Sequence, residues 1–298
     1  MSEAGSRDEK MTFWEHLEEL RRRLIRAILA YVVGACVAWS YRDEILAWLW
    51  KPFAESWRAQ GIPGEPSLNF AAPGDAFMAY FKLSLMGGLL IAAPVIFYQL
   101  WAFVAPGLYW REKKYIIPFV FFSTLLFVGG GLFGWRIAFP ITFDYFLSLA
   151  GGAKEAGLAV TPVVMMGEYL DFVRQLLLAF GIIFELPLLI LFLSMAGIVN
   201  WLQLLRFGRW FVLLAFVVGA VVSPPDATSQ IIMAVPLCVL YFASIALAYF
   251  FGQRPTPEQI AADRERRERE RREREEERRE RKAKRQAAKA AAKATKTQ

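Results

Sequence analysis

The chain has 298 residues, of which 56% are hydrophobic and 15% aromatic, a composition that would aggregate if held in water. Its formal charge of +7 belongs to one end: Lys/Arg and Asp/Glu balance at 18 each up to Gln253, and the whole excess lies from Arg254 onward. A soluble domain is thereby excluded, and a charge carried by a tail does not describe a nucleic-acid surface.

The elements follow in chain order. Met11–Arg26 has the pattern of a short amphipathic helix, with Leu17, Leu20 and Leu24 along one face and a Thr12/Glu15 capping box at its start. The first 20 residues alternate Glu, Asp, Arg and Lys, which argues against a cleaved secretory signal and an organelle transit peptide. A bacterial plasma (inner) membrane is the expected location. Six apolar stretches then supply the roughly 18–20 residues that a helix needs to cross about 30 Å of hydrocarbon. They are Leu24–Trp39, Ala76–Phe103, Ile116–Phe139, Tyr169–Met195, Trp210–Val222 and Ala227–Phe251.

Between the first two, Tyr41–Trp57 places Ile45, Trp48, Leu49, Phe53 and Trp57 at helical spacing, as expected of a segment lying in the interface plane. Pro52 is expected to break it in two. Asp75, after Pro73 and Gly74, is placed to cap the second span, within which Lys82 is expected to snorkel toward headgroups. That span reaches roughly 40 Å if fully helical, so it should tilt, kink at Pro94 or project outward. Gly129, Gly130 and Gly131 read as a close helix contact. The fifth span covers only about 20 Å before Ser223-Pro-Pro-Asp226 stops it, so the last two spans read as a short hairpin. The expected fold is an all-α membrane protein with six transmembrane helices and short fifth and sixth spans. It divides into a cytoplasmic N-terminal helix (1–23), a membrane domain (24–253) and a charged cytoplasmic tail (254–298).

An even number of spans puts both termini on one side. The segments on that side carry 28 Lys/Arg and the opposite segments carry 4, which places both termini in the cytoplasm. In the tail, Arg/Glu alternation from Asp263 to Arg285 favours a solvated helix laced with i,i+4 pairs. An anchor for anionic membrane lipids or a ribosome-facing segment is the sharper alternative.

The signatures of an enzyme are missing. No G-x-x-x-x-G-K-[ST] loop is present to hold a nucleotide, and one histidine with two separated cysteines cannot assemble a zinc cluster. No cofactor or metal is expected. Four sites could still carry chemistry. Glu185 lies in the middle of the fourth span, where an ionisable side chain costs roughly 3 kcal/mol on insertion scales. It must face a bundle interior, a wet cavity or a polar partner, and Pro187 loosens the backbone beside it. Glu15, Glu18, Glu19 and Glu112 form acidic patches on the cytoplasmic side. By spacing alone they are solvated surface pairs, although carboxylates can also accept a guanidinium bidentately. Asp226 reads as an N-cap of the sixth span, and Lys82 as the snorkelling residue already noted. A proton-coupled secondary transporter with Glu185 as relay is the alternative from residues alone; inverted repeats or paired broken helices would support it, and the sequence has neither.

Four motifs in order resemble the TatC family, the multispanning subunit of the twin-arginine protein translocase. They are His16-Leu-Glu-Glu-Leu-Arg-Arg-Arg-Leu24, Ala93-Pro-Val-Ile-Phe-Tyr-Gln-Leu-Trp-Ala-Phe-Val-Ala-Pro-Gly-Leu-Tyr109 followed by Glu112, Ala179-Phe-Gly-Ile-Ile-Phe-Glu-Leu-Pro187, and Ser223-Pro-Pro-Asp226. The resemblance covers Phe13 to about Phe251 and leaves out the tail. It implies a six-helix receptor for folded proteins bearing Arg-Arg signal peptides, driven by the proton-motive force without bound nucleotide. It further implies signal-peptide binding by Glu19, Arg21, Phe103 and Glu112, and docking of the single-span partners TatA and TatB near Glu185. Pro52 and Asp226 would serve assembly or transport from the external loops, within an oligomeric complex.

Overall fold

The computed structural model describes residues 13–104, 116–155, 162–222 and 227–254, together with scattered positions of the tail as far as residue 275. Among the described residues the molecule is almost entirely helical, and six helical stretches are long and apolar enough to cross a membrane. The first is α1, Phe13–Ser40. It runs unbroken through the amphipathic segment and the first span, because no Gly or Pro interrupts the join at Arg21–Leu24.

Helix α2, Arg42–Ala59, follows after Tyr41. Pro52 lies inside it, buried, and does not break it. A proline removes the hydrogen bond to the carbonyl four residues back, which here is that of Trp48. The indole Nε1–H of Trp135 donates to that oxygen at 3.1 Å instead. The helix therefore continues through the proline, and its apolar side (Leu49, Phe53, Trp57) is buried against protein rather than laid on lipid.

Helix α3, Pro73–Val104, contains Pro94 without interruption. Asp75 does not cap it from the N-cap position. It sits in the first turn and reaches back, Ala72 N–H donating to Asp75 Oδ2 at 2.9 Å, with Pro73 as the helix's first residue. The third span is a composite: α4 (Ile116–Phe133), a π turn (Gly134–Ala138) and α5 (Phe139–Glu155). The fourth is divided at Glu185 into α6 (Met166–Phe184) and α7 (Leu186–Met195). Helices α8 (Trp201–Val222) and α9 (Ala227–Phe251) complete the bundle.

Helix α8 starts nine residues before its apolar run, so at 22 residues it spans roughly 33 Å and not about 20 Å. Arg206 and Arg209 fall in its first turns, where long cationic side chains can reach headgroups while their stems stay in the bilayer. The last two spans nonetheless remain the shortest of the six.

Helix α1 packs chiefly along α3, α4 on α6, α2 on α5, and α9 on both α7 and α8. Two-residue strands Leu68–Asn69 and Val164–Met165 pair in parallel and tie together the segments that precede α3 and α6. The closest helix contacts are at glycines. A Cβ at Gly88 would stand 2.6 Å from Ala35 Cα, and one at Gly130 would stand 2.5 Å from Phe180 O. Gly130 thus makes the close approach expected of the triple-glycine run.

Candidate functional site

The end of the bundle that holds the start of α1 also holds the end of α3. The His16 ring stacks on Phe103 with centroids 4.5 Å apart and planes 18° apart, which brings the first two sequence motifs together. On α1, Glu15, Glu19, Arg22, Arg23 and Arg26 line a recess of about 340 Å³. The Glu19 side chain is only 14% exposed. Its Oε1 accepts from Arg23 Nε at 2.8 Å and also from Arg23 Nη2. Oε2 is buried and has no partner, so half of the carboxylate's accepting capacity is unused. Arg21 is exposed and lies outside this recess. Glu112 and Asp226 lie outside the described residues.

Arg23, which the sequence motif presents only as one of three consecutive arginines, is part of the site as the partner of Glu19. It follows Glu19 at i,i+4, a spacing that places two side chains on one helix face, and that spacing could have identified it.

The second cluster surrounds Glu185, whose N–H bonds Ile182 O at 3.1 Å in a tight turn. Pro187 has no N–H to continue the ladder, so the helix divides there. Ser123 of α4, fully buried, lies beside the Glu185 carboxyl. The Ser123 oxygen accepts from Trp101 Nε1–H of α3 at 2.8 Å. One carboxyl oxygen, Oε1, is buried without a partner. Three helices therefore converge on a small polar centre in the apolar bundle. Ser123 was legible as a polar residue inside an apolar run, but nothing in the spacing indicated its partners.

On the side of α2, Pro52 adjoins Phe53, whose ring stacks on Trp50, tilts against Trp57 and meets Phe143 and Tyr169 edge-on. Tyr169 O–H donates to Leu49 O at 2.9 Å, a second fastening of α2 to the bundle. Lys82 is not free to snorkel. Its Nζ lies 2.7 Å from Asp171 Oδ2 on α6, and Arg174 pairs with the same carboxylate at 3.2 Å. Asp171, separated from Lys82 by 89 positions, has no local pattern that announces the pair. Among the described residues, no cluster of three or more His, Cys, Asp or Glu could hold a metal ion.

A family profile for the Sec-independent protein translocase protein TatC matches residues 15–236. The TatC of Desulforapulum autotrophicum is 38% identical over 253 residues, which are 85% of this chain and 89% of the relative. That of Aquifex aeolicus is 38% identical over 237 residues, 80% of this chain and 94% of the relative. A crystal structure of the twin-arginine translocase receptor TatC superposes with a TM-score of 0.69 at 37% identity, covering 79% of this chain and 99% of that one. The chain belongs to the TatC family, the multispanning protein-transport subunit of the Sec-independent, twin-arginine translocase of the bacterial inner membrane.

Proposed function

We propose that this subunit binds the Arg-Arg motif of signal peptides at the end of the bundle where α1 begins and α3 ends. Glu19, Arg21, Phe103 and Glu112 form the receptor surface in this reading, and both termini lie in the cytoplasm. The observation that carries it is the His16–Phe103 stack, which sets the recess of Glu19 beside the end of α3, from which the segment bearing Glu112 departs. Glu19 is suited to a guanidinium: Arg23 already occupies one of its oxygens, and the other is buried and unpaired. Charge-assisted bonds of this kind are about twice as strong as neutral ones.

Two further roles belong to the same reading. The polar centre at Glu185 docks the transmembrane helix of TatA- or TatB-type partners, since a carboxyl oxygen without a partner favours an incoming polar side chain. The buried Pro52, and Asp226 between α8 and α9 in the chain, serve assembly or transport. The chain acts by binding and carries out no bond-making step of its own.

The test is site-specific photo-cross-linking in membranes. A photoreactive residue at Phe103 should capture a twin-arginine signal peptide and lose most of that product with the twin-lysine version; one at Glu65, in the opposite loop, should capture neither. Equal capture of both peptides at Phe103 refutes the receptor assignment. For docking, Glu185→Ala should weaken cross-links to TatA or TatB while peptide capture persists. Unchanged partner cross-links make Glu185 a packing contact within the bundle.

A further inference from the structure

In the half of the bundle nearest α2, an apolar groove of about 520 Å³ runs between α1, α3 and α4, with Val37, Leu90 and Leu132 among its walls. A second hollow of about 340 Å³ shares Val37 and Ile91 with it and continues along α1 and α3 as far as Leu29. The combined track is long, narrow and almost devoid of polar atoms. It opens on spans whose outward side chains, such as Val33 and Leu125, are themselves exposed, so in a membrane its natural contents are hydrocarbon.

The end of the groove next to α2 is different in chemistry. Trp48 lines it and stacks on Trp135 at 4.2 Å and 15°. Tryptophans gather at the depth where hydrocarbon meets headgroups. Arg136 follows Trp135 in the π turn, one turn beyond Leu132 of the groove wall, and residues one turn apart share a helix face. Arg136 is exposed. Arg23, Arg42, Lys51, Arg58, Lys82 and Arg174 each have a carboxylate in ion-pair range. Among the described residues Arg136 has none.

We propose that this groove is a phospholipid site: an acyl chain lies along α1 and α3, and the Arg136 guanidinium holds the phosphate of an anionic headgroup. The volume falls within the range of about 300–1,000 Å³ typical of ligand pockets. A guanidinium matches phosphate with two parallel N–H···O bonds. Charge complementarity selects the occupant, because an apolar partner helix could fill the groove but would leave Arg136 facing nothing. The Trp48–Trp135 pair sets the depth of the headgroup and, through the bond to Trp48 O, fixes α2 to the groove's rim. The bound lipid would then brace α1, which is joined to the rest of the bundle almost entirely through α3.

Native mass spectrometry of the purified protein, titrated with dioleoyl phosphatidylglycerol or dioleoyl phosphatidylcholine, tests the site. The wild type should retain phosphatidylglycerol in preference. Arg136→Gln, an exposed substitution that leaves packing intact, should cut that preference roughly five-fold, the factor that one Arg contributes toward anionic lipid. Val128→Trp, which fills the groove, should lower retention of both lipids. Equal retention of the two lipids by the wild type, or an unchanged preference in Arg136→Gln, overturns the proposal. Phosphatidylglycerol carrying a photoreactive acyl chain supplies a second readout, independent of whether Val128→Trp folds. Its label should concentrate on residues 128–132 of α4 and 86–91 of α3. Label spread evenly over the lipid-facing surface, or displaced by a single-span partner, also overturns it.

Discussion

Gly88→Ala should loosen α1 from the rest of the bundle. Only 11% of the span in α1 is buried, and the helix is held mainly along α3. At their crossing Gly34 meets Gly88: a Cβ on Gly34 would stand 2.6 Å from Gly88 O, and one on Gly88 2.6 Å from Ala35 Cα and 2.9 Å from Ala35 Cβ. The obstacles are backbone and a short methyl, not the end of a flexible side chain. Restoring contact at ~3.5 Å therefore requires the helices to part by about 1 Å. Overpacking on this scale costs roughly 1–3 kcal/mol, against a gain of up to about 1 kcal/mol from replacing a helical glycine. Gly129→Ala is the control, since a Cβ there meets nothing within 4 Å and only the gain applies. Unfolding in mixed micelles titrated with sodium dodecyl sulfate should rank Gly129→Ala at or above wild type and Gly88→Ala clearly below both. Because α1 carries Glu19 and His16, Gly88→Ala should also weaken capture of the twin-arginine peptide. Equal stability of the two glycine variants would refute the close-packing argument.

Other outcomes follow from the same geometry. Glu19→Ala and Glu112→Ala should each weaken signal-peptide binding by about 1.5–3 kcal/mol, as for loss of one charge-assisted pair, and substitution by Lys should be worse; titration calorimetry in nanodiscs reads this directly. Ser123→Ala leaves the buried Trp101 Nε1–H without an acceptor and should lower unfolding stability by about 1–3 kcal/mol. Thr124→Ala, whose hydroxyl bonds only Val120 O of its own helix, should cost far less in the same titration. Asp171→Asn should change stability by less than about 1 kcal/mol, because Lys82 and Asp171 are 36% and 40% exposed and such pairs are largely screened. For topology, in a background lacking Cys36 and Cys238, Glu65→Cys should react with an impermeant thiol reagent in intact cells and Thr256→Cys should not.

The spans were legible because apolar runs in this chain end at charges, glycine or proline, and hydrocarbon thickness fixes their length. Glu185 was legible for the converse reason, as the lone carboxylate in the middle of such a run. What escaped was supplied from far along the chain. Pro52 was expected to break α2, but the carbonyl it strands is satisfied by Trp135, 87 positions away, and no local pattern encodes that rescue. Lys82 was read as a headgroup seeker because its partner Asp171 lies on another helix. The start of α8 was missed because Arg206 and Arg209 interrupt its hydropathy without interrupting its backbone. In the candidate site, the Glu19–Arg23 pair was written in the i,i+4 spacing. The stack of His16 on Phe103 is a tertiary contact that joins motifs which sequence alone leaves 87 residues apart. The solute-transporter alternative rested on Glu185 alone and gives way to membership of the TatC family.

The receptor reading turns on Glu19, in the recess at the start of α1, as the acceptor of paired arginines. Equilibrium binding of a fluorescent signal peptide to the purified chain in nanodiscs tests it most directly, with twin-arginine and twin-lysine peptides compared on wild type and on Glu19→Ala. The arginine peptide should bind wild type more tightly and lose most of that preference in Glu19→Ala, since Lys cannot reproduce the planar fork of a guanidinium. Equal affinity for the two peptides, or a preference that survives removal of Glu19, would contradict it.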